Sequence, residues 1–328
     1  MTKPCLLQVV LMFWLTGSVC LAGCRQTQSS QPSTSDGQTI TDQETDQETD
    51  AAVSFGKRTR LGKFDTALID ESSGLAISLQ NDGYFWTHND NGQRPGLFLF
   101  DKTGKHRGTL QLDPRLAPFR DWESLDSATI EGRHYLFLGD IGDNASQHET
   151  CRIHVIEEPA WQLDDAKVIE ETSQPITTIA FRYQDGPRDC EALAFDTDQK
   201  RFYLFSKFRT RDAKQDRSLI YWLPWQTQSN AQPIEAKAVA SEFDFSNLTA
   251  ADISPSGDLA IVRSYTSAWL FQRQQGETWA QAFASPGPSN LMPLQLQGEA
   301  ICFDSSGQAV VLTSEGVSQT IWEVKIDR

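Results

Sequence analysis

Three glutamates share one short phrase. It reads Trp122-Glu123-Ser124-Leu125, then Glu191-Ala192-Leu193-Ala194-Phe195-Asp196, then Glu299-Ala300-Ile301-Cys302-Phe303-Asp304. Two further copies keep the frame without the acid: Ser73-Gly74-Leu75-Ala76-Ile77-Ser78 and Thr249-Ala250-Ala251-Asp252-Ile253-Ser254. Carboxylates that a fold gathers repel one another, so such a group holds either a proton or a cation. Hard oxygen donors without His or Cys beside them suit Ca2+. A second polar set follows the apolar runs: His88-Asn89-Asp90-Asn91-Gly92, Asp140-Ile141-Gly142-Asp143-Asn144, Ser206-Lys207, Arg263-Ser264-Tyr265 and Ser314-Glu315-Gly316.

If both sets meet, the expected metal ligands are Glu123, Glu191, Glu299, Asp140 and Asp143. Glu191, His88 and Arg263 are the expected catalytic residues, with His88 either a general base or, as a plainer alternative, a hydrogen-bonding turn residue. Lys207, Tyr265, Asn89 and Asp90 would line the substrate. Arg263 and Lys207 can grip an anionic group such as a phosphate or carboxylate, or simply neutralise the glutamates. The plainer alternatives stand beside these: glutamates that cap amides, and a 140–144 segment that is only a tight turn, as Gly, Asp and Asn favour.

The elements that position these residues follow from the spacing. The five copies lie about 50 to 70 residues apart, the period of propeller blades. Each copy is followed by a turn and an apolar strand: Tyr84-Phe85-Trp86, His134 to Leu138, Phe202 to Phe205, Leu259 to Val262, and Ala309 to Leu312. Short strands bounded by Gly, Asp, Asn and Ser predict an all-β fold. Phrase, turn and strand make an inner hairpin, and five hairpins predict five blades. Six are the alternative if the interval 144–189 carries a divergent hairpin. After the last hairpin only one further strand remains, Ile321 to Ile326, so Val53 to Phe64 is expected to supply the missing outer strand and close the ring. A monomeric propeller over residues 53–328 is expected.

The first 24 residues stand apart. Lys3, an apolar run through Leu15, and Leu21-Ala22-Gly23-Cys24 have the layout of a secretory signal rather than a spanning helix. Leu-Ala-Gly-Cys resembles the lipobox of bacterial lipoproteins, which implies lipidation at Cys24. Arg25 stands where such proteins carry an aspartate for inner-membrane retention. The implied place is the cell envelope, at the outer membrane or periplasmic face if the host is Gram-negative. Residues 25–52 are polar and acidic and are expected to be a disordered tether. Its 28 residues would reach about 30 Å.

The chain carries a net charge of −15. The tether holds one Arg against six acidic residues, a net of −5; with Lys3 gone, residues 53–328 carry −11. That charge argues against nucleic acid, whose phosphates need cations. Cys5 and Cys20 leave with the signal, and Cys151, Cys190 and Cys302 are too few for a disulfide framework and lack zinc spacing. Walker, G-x-G-x-x-G, H-E-x-x-H and G-x-S-x-G motifs are absent from the sequence. Asn89-Asp90-Asn91-Gly92 lacks the glutamate of an EF-hand at its required place.

Asp121-Trp122-Glu123, Gly139-Asp140-Ile141-Gly142-Asp143-Asn144, Phe181-Arg182-Tyr183 with Asp185-Gly186, Glu191-Ala192-Leu193 and Gly298-Glu299-Ala300 together resemble a family of secreted bacterial β-propeller proteins without an assigned activity. More remotely, the chain is similar to calcium-dependent lactonase and phytase-like esterase propellers. That resemblance implies a metal in the channel and hydrolysis of an ester, lactone or phosphoester beside it. The alternatives are a non-catalytic module that binds a small molecule, glycan or protein, and a carboxylate-dependent glycosidase.

Overall fold

The computed structural model describes residues 53–90, 95–113, 120–208, 217–239, 245–295 and 297–328. Residues 1–52, which hold the expected signal segment, Cys24 and the expected tether, and Asn91-Gly92 lie outside the described residues. The fold is all-β, with one four-residue helix among the described residues.

β1 (Ser54–Lys63) is followed by a meander of β2 (Ser72–Ile77), β3 (Tyr84–Asn89), β4 (Gly96–Asp101) and β5 (His106–Leu112). A second meander holds β6 (Trp122–Ile130), β7 (Arg133–Asp140) and β8 (Cys151–Glu157). Then β9 (Ile169–Ser173) runs parallel to β5, and β10 (Thr177–Tyr183) extends the second sheet beside β8. The third contains β11 (Cys190–Asp196), β12 (Arg201–Ser206), β13 (Ile220–Pro224) and β14 (Ile234–Ala238). The fourth contains β15 (Leu248–Ile253), β16 (Leu259–Ser264), β17 (Ser267–Gln272) and β18 (Ser289–Leu291), with α1 (Trp279–Ala282) before the last strand. The fifth contains β19 (Ala300–Phe303), β20 (Ala309–Thr313) and β21 (Thr320–Asp327).

β1 pairs antiparallel with β21, so the two ends of the domain share one sheet, as expected for closure. The interval 144–189 supplies outer strands: β8 and β10 complete the second sheet and β9 covers β5. Neither the β9–β5 pairing nor one further outer contact was foreseen. β10 and β14 pair in parallel, which joins the second and third sheets along their outer edges.

The first strand of each meander packs on the next: β2 on β6, β6 on β11, β11 on β15, β15 on β19, and β19 back on β2. The apolar core follows the same order. Trp86 and Leu99 meet Trp122 and Leu136, Phe137 meets Phe195 and Phe202, and Tyr203 and Phe205 meet Val262 and Phe271. Leu259 and Ile261 meet Phe303 and Val310, and Cys302 and Val311 meet Phe85 and Phe100. Each sheet is thus covered on both faces, which explains why β11 and β12 read as nearly continuous apolar runs rather than alternating ones. The result is a propeller-like ring. Cys151, Cys190 and Cys302 are buried free thiols within it.

Turn chemistry sets the inner hairpins. Glu131 and Gly132, at φ 53° and 79°, link β6 to β7. Positive φ at both central residues suits a two-residue hairpin.

Candidate functional site

The phrase starts interrupt their own ladders. Trp122 faces Asp140 and Ser124 faces Gly139, which leaves Glu123 as an extra residue in β6. Cys190 faces Ser206 and Ala192 faces Phe205, which leaves Glu191 extra in β11. Thr249 is extra in β15 in the same way, and the shift in β2 falls at Ser73-Gly74. A bulge takes a residue out of the pleat's alternation and re-aims its side chain. Glu299 immediately precedes β19 and serves the same position without a bulge. Where the acid is missing, the hydroxyl ties neighbouring strands: Ser73 Oγ donates to Glu123 O at 3.2 Å and Thr249 Oγ1 to Gly298 O at 3.0 Å.

The glutamates meet a line of carboxyl groups. Asp121 lies beside Asp90 and Glu123, and the charges of Glu123 and Glu191 act on one another. Ligand oxygens of Asp90, Asp121 and Glu123 lie within 4.8 Å of one another. Glu191 ends the line in a buried ion pair, 2.9 Å from Lys207 Nζ. The Lys207 ammonium also lies 5.0 Å from the Tyr265 ring centroid.

Gly142 makes this gathering sterically allowed. A Cβ there would stand 2.5 Å from Asp121 Oδ2 and 2.6 Å from Glu123 Oε1. The glycine of the Gly139–Asn144 run is therefore a close-approach residue, not only a turn former.

Electrostatics register the crowding. Burial, then Glu191, Asp90 and Asp121, drives the Glu123 carboxyl well above its ordinary range. Burial, with Asp121 and Glu191, pushes Asp90 up to about 7. Glu299 is pushed up to about 7 by burial, against the pull of Lys207. Glu315 reaches about 7 through burial and the charges of Asp90 and Glu71. Burial opposes the Lys207 charge, but Glu191 and Glu299 overcome it and hold the ammonium above its ordinary value.

The other expected residues divide. Lys207, Tyr265, Asp90, Glu123, Glu191 and Glu299 belong to this group. Asp140 and Asp143 each accept from backbone amides. Asp140 Oδ1 accepts from the amides of Arg120 and Asp121 at 3.1 and 2.9 Å, and Asp143 Oδ2 from that of His148 at 2.6 Å. Arg120, Arg152 and His154 surround Asp140 at 3.9 to 4.0 Å. These bonds give both aspartates a loop-building role, and Asp140 positions Asp121 through its amide.

Asn89 is also a brace. Its Oδ1 accepts from the amides of Asp70 and Glu71, and its Nδ2 donates to Leu68 O at 2.8 Å. His88 is fully buried against Trp122, and burial lowers its pKa to about 4. Its Nδ1 lies 3.1 Å from Asn89 O. Arg263 is a buried strut: Nη1 donates to Ala300 O at 2.7 Å and Thr313 O at 3.2 Å, and Nη2 to Gln295 Oε1 at 2.6 Å.

Asp121 stood in the Asp121-Trp122-Glu123 motif but was given no site role. Its adjacency to the phrase was the available signal; the bulge that brings it beside Glu123 is not written in residue types. Glu315 stood in a noted strand exit and was not assigned to the site.

The other ends of the same strands line a cavity of about 230 Å3, bordered by Ile77, Asp126, Phe195, Asp252 and Phe303. Its aspartates latch neighbouring strands. Asp126 accepts from the amides of Ser127 and Phe195, and Asp252 from those of Ile253 and Phe303.

No protein-family model matches this chain, and no curated protein matches it. Among solved structures, a gluconolactonase from Xanthomonas campestris is similar over 84% of this chain and 99% of that one, at 11% identity and a TM-score of 0.43. A likeness at that level says nothing of activity.

Proposed function

We propose that this protein is a cation-dependent hydrolase of ester or lactone bonds, carried on a five-bladed propeller that a lipid on Cys24 holds to the cell envelope. The five-blade reading is supported by the closed succession of β2, β6, β11, β15 and β19. The envelope location and the acidic tether rest on the sequence of residues 1–52. The observation that carries the reaction is the Asp90–Asp121–Glu123 group, beside the buried Glu191–Lys207 pair.

The donor set fits a hard divalent ion, with Ca2+ the preferred choice: all three donors are carboxylate oxygens, and Gly142 leaves room for them to converge. Asp90, Asp121 and Glu123 would hold the ion, which supplies polarisation of the scissile carbonyl oxygen when bound. The chain's own residues do the rest. Glu191 lies between Glu123 and Lys207 and takes the proton of the attacking water. Lys207 keeps Glu191 ionised against burial, which favours its neutral form. Burial of Glu123, Glu191 and Glu299 limits the access of bulk water to the reacting centre.

A panel of aryl esters, lactones and phosphodiesters, run with calcium on wild type and Glu191→Gln, tests this. Ester or lactone turnover that falls at least about 100-fold in the variant is expected for loss of a general base. Equal background rates in both proteins would overturn the hydrolase reading and favour a binding module.

A further inference from the structure

A second concavity opens beside the acidic mouth. It is a groove of about 390 Å3 before β15 and at the turn between β16 and β17. Small-molecule sites commonly measure about 300–1,000 Å3. Phe245, Asn247, Tyr265, Thr266, Ser267 and Trp269 line it, and none of its lining residues is charged. Phe245 and Trp269 are half-buried and stack, with ring centroids 4.2 Å apart and planes at 29°. Backbone bonds hold the walls. The Ser264 hydroxyl accepts from Ser267 N at 3.2 Å, and the Thr266 carbonyl accepts from Met292 N at 2.7 Å. Asn247 stands at φ 57°, and its backbone N–H donates to Phe208 O at 2.9 Å. Tyr265 joins the groove to the mouth. Its ring centroid lies 5.0 Å from Lys207 Nζ, which pairs with Glu191 at 2.9 Å.

We propose that this groove is a subsite for a carbohydrate ring, so that the mouth works on an acyl ester carried by a sugar. The inference rests on the proposed hydrolytic reading of the mouth and names its substrate class. With no charged lining residue, recognition falls to aromatic surface and to neutral hydrogen-bonding groups. A sugar ring uses both. Its C–H face carries slight positive charge and suits the negative face of an aromatic ring. Its hydroxyls donate and accept, as do the hydroxyls of Tyr265, Thr266 and Ser267 and the side-chain amide of Asn247. An apolar ligand would strip water from these groups without replacing its hydrogen bonds. A ring seated against Tyr265 brings its ester towards Lys207 and Glu191. Water then splits the acyl C–O bond: its hydroxyl joins the acyl carbon, and its other proton passes through Glu191 to the departing sugar oxygen.

The test uses the calcium-loaded full chain and ligand-observed NMR with cellobiose, maltose, N,N′-diacetylchitobiose and, as an apolar aromatic, 2-phenylethanol. At least one disaccharide is expected to bind, at least about tenfold more tightly than 2-phenylethanol, a difference of about 1.4 kcal/mol. Trp269→Ala removes aromatic surface and is expected to weaken that disaccharide at least about tenfold. Thr266→Trp fills the groove from an exposed position and leaves the backbone bond of residue 266 in place. It is expected to weaken the same disaccharide at least about tenfold. If Trp269→Ala fails to fold, Thr266→Trp still decides. No disaccharide bound, 2-phenylethanol bound as tightly, or unchanged sugar binding in either folded variant would each overturn the inference. Sugar binding that obeys the variants without turnover of any ester would remove the hydrolytic reading alone. Turnover of aryl esters without sugar binding would remove the sugar subsite alone.

Discussion

The acids and the single ammonium that ends their line divide the work by environment. Glu191 and Lys207 are both almost wholly buried and lie 2.9 Å apart. Removing one partner of such a pair strands the other charge, at a cost of about 3–5 kcal/mol. Lys207→Met should therefore destabilise the protein by about that amount, while Glu191→Gln with Lys207→Met should cost less. Urea unfolding of both single variants and the double checks this, and a double-variant loss equal to the sum of the single losses would show the pair to be uncoupled. The repeat spacing, read as propeller blades, foretold that Glu123, Glu191, Glu299 and Lys207 would meet. It did not foretell the backbone bonds of Arg263 or Asp140. Both carry the charge expected of a site residue, and which backbone groups a buried charge must satisfy is decided by tertiary packing.

At the scale of elements, the bulges in β6 and β11 and the loop after β7 build the site. The bulges re-aim Glu123 and Glu191, and the loop brings Gly142 against Asp121 and Glu123. Gly142→Ala should keep the fold, with a stability loss of about 1–3 kcal/mol from overpacking, and should weaken calcium binding at least about tenfold. Calorimetric titration measures the second effect; unchanged affinity would show that these carboxylates need not converge. The hairpins were legible in the sequence because Gly and Asx residues punctuate apolar runs. The bulges were not, since an extra residue leaves no mark in hydrophobic alternation when both faces of a strand are buried. The outer pairings of β9 with β5 and β10 with β14 were equally hidden, because edge strands such as Ile169–Ser173 are largely polar.

For the whole molecule, the buried acids make stability depend on pH. Asp90, Glu299 and Glu315 have folded pKa values raised to about 7, each with burial as the first cause. Asp126, pushed by burial to about 7, adds to the same trend from the opposite end. A carboxyl raised on folding contributes stability that is full below its unfolded value and lost as pH rises through the folded one. Chelator-treated protein should therefore melt at falling temperature as pH rises from about 4 to about 8. Calcium should reverse the part of this trend that comes from the mouth, by favouring ionised carboxylates, and leave the part from Asp126. Closure of the ring by β1 on β21 was foreseen by counting strands, since a propeller's last sheet must be completed by whichever end of the chain is free.

The central claim is that Asp90, Asp121 and Glu123 share one divalent cation. Calcium titration by calorimetry on wild type and Asp121→Asn, with both proteins first stripped by chelator, tests it most directly. The account predicts one calcium per chain for wild type and an affinity at least about tenfold weaker for the variant, worth about 1.4 kcal/mol or more. Binding of equal strength in both proteins, or no calcium bound to wild type, would contradict it.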